Sequence, residues 1–229
     1  MAVITLSRQY GSGGGAIGRA LAQRLGAEYL DRELVAQVAA RSGIPEAEAA
    51  GYDERLPGLW RRLAAALTSA TPEEVTVALP VEVTGEMAMG ERLFAITRAV
   101  IEEAAATGNA VIAGRGAGFI LAGRPGVLRV QLHAAMDARV SYLRARVEEL
   151  PLDVRPDSDD AELRALCASV DRARAGYLRS RFGVDWMDLR HYDLSLDAGH
   201  LGLSRCIDLI ALAARDLVAV PVTASASPA

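Results

Sequence analysis

Residues 3–26 read VITLSRQYGSGGGAIGRALAQRLG, and this stretch carries the strongest structural signal in the chain. Val3 to Ser7 is a short apolar run rich in β-branched residues, as in a buried strand. From Ala16 onward the apolar residues recur with helical spacing until Gly26, which is a typical helix stop. The stretch therefore predicts a strand, a glycine-rich loop and a helix in direct succession.

The loop between this strand and helix is Gly11-Ser12-Gly13-Gly14-Gly15. Its successive N–H groups can turn inward around an anion, with the positive end of the helix beneath them. Glycine is expected because a side chain would block the approach of phosphate, so Gly13→Val should remove nucleotide binding and leave the fold intact. A flexible turn without a ligand is the alternative. The lysine-containing Walker pattern is not met, and a loose match to G-x-G-x-x-G keeps a dinucleotide-binding fold open.

Composition sets the class of protein. The chain has 229 residues, 51% of them hydrophobic and 24% charged, which suffices for one large core. A net charge of −4 gives no reason to expect a nucleic acid polymer as partner. No apolar run approaches the ~18 residues of a membrane span and no leader pattern is present, so we expect a cytoplasmic protein without membrane contact. All 25 basic residues are arginine, so any side-chain grip on phosphate must come from guanidinium groups.

The rest of the chain alternates between strand and helix patterns. Further strands are predicted at Tyr29–Asp31, Ala110–Ala113, Val127–Leu132 and Tyr192–Leu196. The predicted helices are Arg32–Arg41, Glu46–Tyr52, Pro57–Ser69, Glu91–Thr107, a helix capped by Asp137 and running to Leu150, Ala161–Arg181 and Gly202–Val218. This alternation predicts an α/β fold, a parallel sheet flanked by helices. The glycine loop, Asp31 and Arg115 each follow a strand, and ligands of such sheets bind at the carboxyl ends of the strands.

Four blocks of this sequence, taken in order, are similar to the cytidylate kinase-like family, relatives of bacterial cytidylate kinase among the P-loop nucleoside monophosphate kinases. The blocks are ITLSRQYGSGGGAIGRALAQRLGAEYLDRELV, GNAVIAGRGAGFIL, DRARAGYLRSRFG and YDLSLDAGHLGLSRCIDLI. The resemblance runs from about Val3 to Ile210. It implies a single domain over residues 1–220, with a helical acceptor-binding insert at 32–90, a lid at 151–190 and a disordered tail at 221–229.

The resemblance also implies roles for individual residues. Gly11 to Gly15 would wrap the phosphates of ATP, Asp31 would face the acceptor nucleotide, and Arg115 would help to hold that acceptor. The lid arginines would close over the transferring phosphoryl group and act in catalysis: Arg172, Arg174, Arg179 and Arg181. Without the resemblance, these four arginines could equally form a solvated basic face of a helix. ATP and Mg²⁺ are the implied cofactors, nucleotides the implied partners, and the metal ligands are left open.

The chain departs from the family pattern at the phosphate loop. Gly14 stands where cytidylate kinases have the phosphate lysine, and Gly15 and Ala16 stand where hydroxyl residues follow it. Gly116 replaces the aspartate of the family's GRD block. Arg8, just before the loop, is the predicted replacement for the lysine charge, with Arg19 in reserve.

These features predict ATP-dependent phosphoryl transfer to a nucleoside monophosphate, by resemblance CMP or dCMP. Two alternatives stay open, a nucleotide-binding or regulatory protein without turnover and a phosphotransferase for another small acceptor. The missing lysine and hydroxyl favour the alternatives, while the arginine set and Asp31 favour catalysis.

Overall fold

The computed structural model of this chain describes residues 2–31, 94–95, 97–146, 150, 154 and 158–219. The predicted insert at 32–90, the helices predicted within it and the predicted tail at 221–229 lie outside the described residues. No helix among the described residues combines the length and the apolar character needed to cross a bilayer.

The described elements alternate between strands and helices, as the sequence predicts. The strands are β1 (Val3–Arg8), β2 (Glu28–Leu30), β3 (Ala110–Ala113), β4 (Val127–His133) and β5 (Leu194–Asp197). The helices are α1 (Gly14–Leu25), α2 (97–106), α3 (Ala117–Ile120), α4 (Met136–Arg144), α5 (Asp160–Phe182), α6 (Ala198–Leu201) and α7 (Leu203–Ala219), with a 3₁₀ turn at Leu189–His191. All five predicted strands are confirmed.

The five strands form one sheet in the order β2-β3-β1-β4-β5, and every neighbouring pair is parallel. Strand β1 is central, with β3 on one side and β4 on the other. The connection after β1 leads toward β2, whereas later connections lead to β4 and β5 on the opposite side. The carboxyl end of β1 is therefore a topological switch point, where open parallel sheets bind their ligands.

Helices cover both faces of the sheet. Ile4 and Leu6 of β1 pack with Ile17 and Leu21 of α1 and with the inner side of α7. Val3 of the same strand faces the other way, into a second core shared with α2 and α3. Alternate β1 residues enter opposite cores because successive side chains of a strand point to opposite faces.

The start and end of α4 differ from the prediction. Ala135 occupies the N-cap position and makes no side-chain cap bond, while Asp137 lies in the first turn. The prediction that Asp137 caps this helix is therefore wrong. Its carboxylate instead lies close to the positive end of the helix and pairs with Arg164 of α5. The helix ends at Arg144 rather than at Leu150.

Candidate functional site

The loop between β1 and α1 has the backbone of an anion site. Gly11 and Gly13 adopt left-handed conformations, with φ of 78° and 77°. Gly13 occupies the N-cap position of α1, and no side chain caps the N–H groups of the first helical turn. The Ser12 hydroxyl donates a 2.8 Å hydrogen bond to the Gln9 carbonyl oxygen and so stabilises the loop itself. The loop thus presents backbone donors at the switch point of the sheet.

The glycines of this loop are required for different reasons. A Cβ on Gly13 would lie 2.5 Å from Leu203 Cδ2 and 3.1 Å from Tyr142 Cε2, and its φ is positive. A valine at position 13 would be strained by the positive φ and would push the end of the Leu203 side chain aside, so Gly13→Val should lower the stability of the protein as well as nucleotide binding. A Cβ on Gly15 would meet only the guanidinium end of Arg19, at 3.5 Å. Of these two positions, Gly15 is the one where a Cβ would make only an ordinary van der Waals contact.

Arg8 extends from the end of β1 across the loop. A Cβ on Gly14 would lie 2.7 Å from Arg8 Cγ, so this glycine makes room for the arginine. The Arg8 guanidinium donates a 2.9 Å hydrogen bond to Asp31 Oδ1, and the Arg8 side chain is 17% exposed. Arg8 is thus next to the loop, as predicted, and is held by an acid from the end of β2.

Tyr29 completes this group. Its hydroxyl lies 3.1 Å from Asp31 Oδ2 and 3.4 Å from the carbonyl oxygen of Gly15. Burial, and then the Asp31 carboxylate, raise the pKa of Tyr29 well above its ordinary value of 10.0. The phenol is therefore neutral at physiological pH and can donate to Asp31, which the sequence analysis did not anticipate.

The entry of the loop is fastened by two side chains from distant helices. Arg139 of α4 donates from Nε to the Tyr10 carbonyl oxygen at 2.6 Å and from Nη2 to Asp171 Oδ2 at 2.5 Å. Asp171 of α5 accepts the Tyr10 backbone N–H on Oδ1 at 2.9 Å. We call Arg139 and Asp171 the loop clamp. Sequence reasoning missed both, because no spacing or motif relates them to Tyr10.

The four arginines predicted for the lid divide between two faces of α5. Arg174 donates a 2.6 Å hydrogen bond from Nη1 to the Arg8 carbonyl oxygen. Desolvation, followed by the nearby Arg8 charge, lowers the pKa of Arg174 to about 10, so it still carries its charge at neutral pH. The Arg181 guanidinium lies 4.9 Å from the ring centre of Phe94. Arg172 and Arg179 are exposed on the outer face.

Arg115 stands in an unusual backbone conformation after β3. It has φ of 55° between Gly114 and Gly116, which are also left-handed, and it is the non-glycine residue with positive φ among those described. Such strain in a non-glycine residue recurs at functional sites. Arg115 and Arg181 both act on the pKa of Tyr177, which burial raises and the two guanidiniums lower. Arg115 and Arg181 thus both lie close enough to Tyr177 to act on its charge.

A cavity of about 360 Å³ opens beside the glycine loop. Gly11 and Ser12 of the loop line one side, and Tyr142 of α4 lines another. The rest of the lining is Ala134 just after β4, Ala138 and Ser141 of α4, and Ala198 and Gly199 at the start of α6. Small-molecule sites begin at about this volume and are largely apolar with a few polar groups.

Among the described residues, no cluster of side chains could hold a metal ion by itself. The described residues contain no group of three His, Cys, Asp or Glu residues that could hold an ion. Asp31 and Asp171 lie beside the loop, and both are engaged, Asp31 by Arg8 and Tyr29 and Asp171 by Arg139 and the Tyr10 N–H. Magnesium is usually held by one or two carboxylates together with substrate phosphates and water.

Comparisons with known proteins identify the family and the fold. The sequence model of the cytidylate kinase-like family matches residues 3–200. Among solved structures, an uncharacterized protein from Eubacterium ventriosum superposes with a TM-score of 0.62 at 16% identity, covering 94% of this chain and 99% of that one. Shikimate kinase from Bacteroides thetaiotaomicron gives a TM-score of 0.50 at 17% identity, covering 96% and 99%. No curated protein matches the chain in sequence.

Proposed function

Because the chain belongs to the cytidylate kinase-like family and has the fold of the P-loop nucleoside monophosphate kinases, we propose that it transfers a phosphoryl group from ATP to CMP or dCMP. Family and fold support phosphoryl transfer to a small acceptor. The choice of ATP as donor and of CMP or dCMP as acceptor rests on the resemblance of the sequence blocks.

One observation carries the proposal. The Arg8 side chain lies against Gly14 in the first turn of α1, which no side chain caps, and Arg174 binds the carbonyl oxygen of Arg8. Desolvation and then the Arg8 charge lower the pKa of Arg174, and Asp171 and Asp31 partly offset them. An anion bound beside the two arginines would add to this compensation and could accept from the N–H groups of the uncapped helix start. The arrangement favours phosphate over a neutral ligand.

The cavity beside the loop supports a nucleotide as the source of that phosphate. Tyr142 lines this cavity together with Gly11 and Ser12 of the loop, so an aromatic ring lies in the same cavity as the loop. We assign this cavity to the base and ribose of the donor. The acceptor would then be bound by the other charged residues of the site, Arg115, Arg181 and Asp31.

In the proposed reaction, an oxygen of the acceptor phosphate attacks the γ-phosphorus of ATP. The bond from that phosphorus to the bridging oxygen breaks, and ADP leaves. The charge that spreads over the phosphoryl oxygens is stabilised by backbone N–H groups of the loop and by Arg8 and Arg174. This set replaces the missing lysine by two planar cations, which can bind phosphate oxygens in pairs.

The alternative is a nucleotide-binding protein without turnover. It is favoured by the pairing of Arg8 with Asp31, which occupies the cation predicted to replace the lysine. The two functions differ once the nucleotide has bound. A binding protein needs the loop and the cavity, whereas an enzyme also needs an acceptor aligned with the γ-phosphate.

The deciding experiment measures ADP formation with CMP, dCMP, UMP, AMP and GMP as acceptors, with shikimate as a non-nucleotide acceptor, in the presence and absence of Mg²⁺. We expect turnover with CMP or dCMP that Arg8→Ala abolishes. Arg24→Ala is the matched control, because Arg24 is an exposed arginine paired with Asp208 on the outside of α1. Binding of ATP without turnover on any acceptor would support the alternative, and loss of activity in both variants would refute the role of Arg8.

A further inference from the structure

The glycine loop has little internal means of keeping its shape. Glycine is the residue with the greatest conformational freedom in the unfolded chain, and four of the five residues from 11 to 15 are glycine. Within the loop, Ser12 bonds to the Gln9 carbonyl oxygen through its N–H at 3.3 Å and its hydroxyl at 2.8 Å. A site built from backbone donors stabilises a transition state only if those donors are already in place.

Gln9 is the last residue before the loop that is hydrogen-bonded to β4 or to the residue that follows it. The Gln9 N–H bonds to the Leu132 carbonyl oxygen at 3.0 Å, and its side-chain oxygen accepts the Ala134 N–H at 3.1 Å. Tyr10 is the first residue beyond the sheet. Both of its backbone polar groups are bound by the loop clamp, the N–H by Asp171 and the carbonyl oxygen by Arg139.

Stability alone does not account for the loop clamp. A buried ion pair can often be replaced by apolar side chains of similar volume without loss of stability. The Arg139 side chain is 4% exposed and that of Asp171 is 15% exposed. Helices α4 and α5 are already joined by two exposed pairs, Arg144 with Asp160 and Arg164 with Asp137. Of these three ion pairs, only the buried pair of Arg139 and Asp171 also binds the backbone of Tyr10 at the entry of the loop.

The charge of the loop clamp also suits a phosphate site. An isolated carboxylate this close to the loop would repel the phosphates of a nucleotide. Arg139 neutralises Asp171 directly, and Arg174 lies 3.9 Å from the other carboxylate oxygen. The pair holds Tyr10 without adding net negative charge beside the ligand. Because Asp171 occupies the Tyr10 N–H, the donors left for phosphate begin at Gly11.

We propose that Arg139 and Asp171 are positioning residues that hold the glycine loop in its phosphate-binding conformation from outside the loop. This inference rests on the proposed function for its catalytic consequence, since the loop must bind the donor phosphates. It also makes the geometry of the loop depend on α5, the helix that carries Arg174.

The test separates positioning from stability with a double variant, Arg139→Met with Asp171→Leu. Apolar side chains of similar size should keep the packing of α4 against α5, so the midpoint of urea unfolding should fall only by the loss of the two Tyr10 hydrogen bonds. The exchange of the Ser12 amide, which is bonded to Gln9 and not to the loop clamp, should become at least about tenfold faster. The affinity for a non-hydrolysable ATP analogue should fall by about tenfold or more, with the KM of the acceptor unchanged, as expected when one charge-assisted interaction is lost.

The matched control is Arg144→Gln with Asp160→Asn, which removes an ion pair between the same two helices away from the loop. It should change neither the Ser12 exchange rate nor the affinity for the ATP analogue. If the first double variant does not fold, Asp171→Asn replaces it, because the amide keeps the shape and loses the charge.

Unchanged Ser12 exchange and analogue affinity in a folded clamp variant would overturn the proposal. Equal changes in the clamp and control variants would also overturn it, since they would point to a general effect of joining α4 and α5. If the wild-type protein binds no triphosphate, the proposed function fails. The exchange of Ser12 still decides whether the clamp positions the loop.

Discussion

Replacing single glycines of the phosphate loop by alanine should separate the needs of the fold from those of the ligand. Gly15 lies in the first turn of α1, where an added Cβ would make an ordinary 3.5 Å contact with the end of the Arg19 side chain. Alanine stabilises a helix relative to glycine by about 0.5–1 kcal/mol. For a chain of this size the melting temperature should therefore rise by about 1–4 °C.

The same substitution should weaken the binding of ATP. If the donor phosphates lie over the open side of the loop, a methyl group on Gly15 displaces them from the backbone donors. We expect the Kd for ATP to rise by at least about tenfold, the loss of about one strong hydrogen bond. Circular dichroism gives the melting temperature, and isothermal titration calorimetry gives the Kd.

Two other glycines are the controls for this experiment. Gly176 lies in the middle of α5, and an added Cβ there would meet no atom within 4 Å. Gly176→Ala should give the same gain in stability without a change in ATP affinity. At Gly13 the positive φ costs an alanine about 1–2 kcal/mol, whereas the 2.5 Å approach is to the end of the Leu203 side chain, which can turn aside. Gly13→Ala should therefore be destabilised by about 1–2 kcal/mol.

The outcomes are distinct. A Gly15→Ala protein with a raised melting temperature and the ATP affinity of the wild type would refute the assignment of phosphate to the loop. A Gly13→Ala protein as stable as the wild type would refute the argument from backbone strain at Gly13. A fall in ATP affinity for Gly176→Ala equal to that for Gly15→Ala would show that the effect does not arise in the loop.

Three further predictions concern charged and titratable groups of the site. Arg8→Ala should weaken the binding of a triphosphate by about 1.5–3 kcal/mol and should weaken the binding of a monophosphate by less. Calorimetric titrations with ATP and AMP measure both losses, and equal losses would indicate a structural arginine. Arg174→Ala should lower kcat/KM for ATP by about a hundredfold in the coupled assay. Arg172 lies on the exposed face of α5, so Arg172→Ala should change kcat/KM only a few-fold. A hundredfold loss for Arg172→Ala would contradict this orientation and support closure of α5 as a lid. The pKa of Tyr29 is raised in the folded state, so its contribution to stability is fully present below its unfolded pKa of 10.0 and declines as pH rises above that value. Urea unfolding between about pH 9 and pH 11.5 should show a steeper loss of stability for the wild type than for Tyr29→Phe, and identical slopes would refute the assigned shift.

The ion pair between Arg8 and Asp31 affects how a loop without its lysine could bind phosphate. In the family pattern a lysine inside the loop supplies the charge, and here glycine at position 14 leaves room for Arg8 instead. Asp31 holds that arginine at the end of β2, on the side proposed for the acceptor. If phosphate at the loop also binds Arg8, it would compete with Asp31 for the same guanidinium, and donor binding would then be coupled to the acceptor side through one ion pair.

The local elements and the place of the loop could be predicted from the sequence. Strand and helix periodicities are properties of neighbouring residues, so β1, the glycine loop and α1 can be recognised without knowing what surrounds them. The alternation of further strands and helices predicted the parallel sheet, because parallel neighbours require crossover connections. The sequence blocks also identified the family, since their order along the chain is more specific than any single block.

Which side chains meet at the site depends on the packing of distant elements. Tyr10 is bound by residues 129 and 161 positions away, and no periodic signal links side chains over such distances. The same holds for α5, where four arginines that look equivalent in the sequence divide into inward-facing Arg174 and Arg181 and outward-facing Arg172 and Arg179. Their orientation follows from the rotation of the helix about its axis, which is set by burying Leu163, Cys167 and Leu178 against the rest of the protein. Packing of that apolar face, rather than the positions of the charges along the chain, therefore selects the arginines that reach the site.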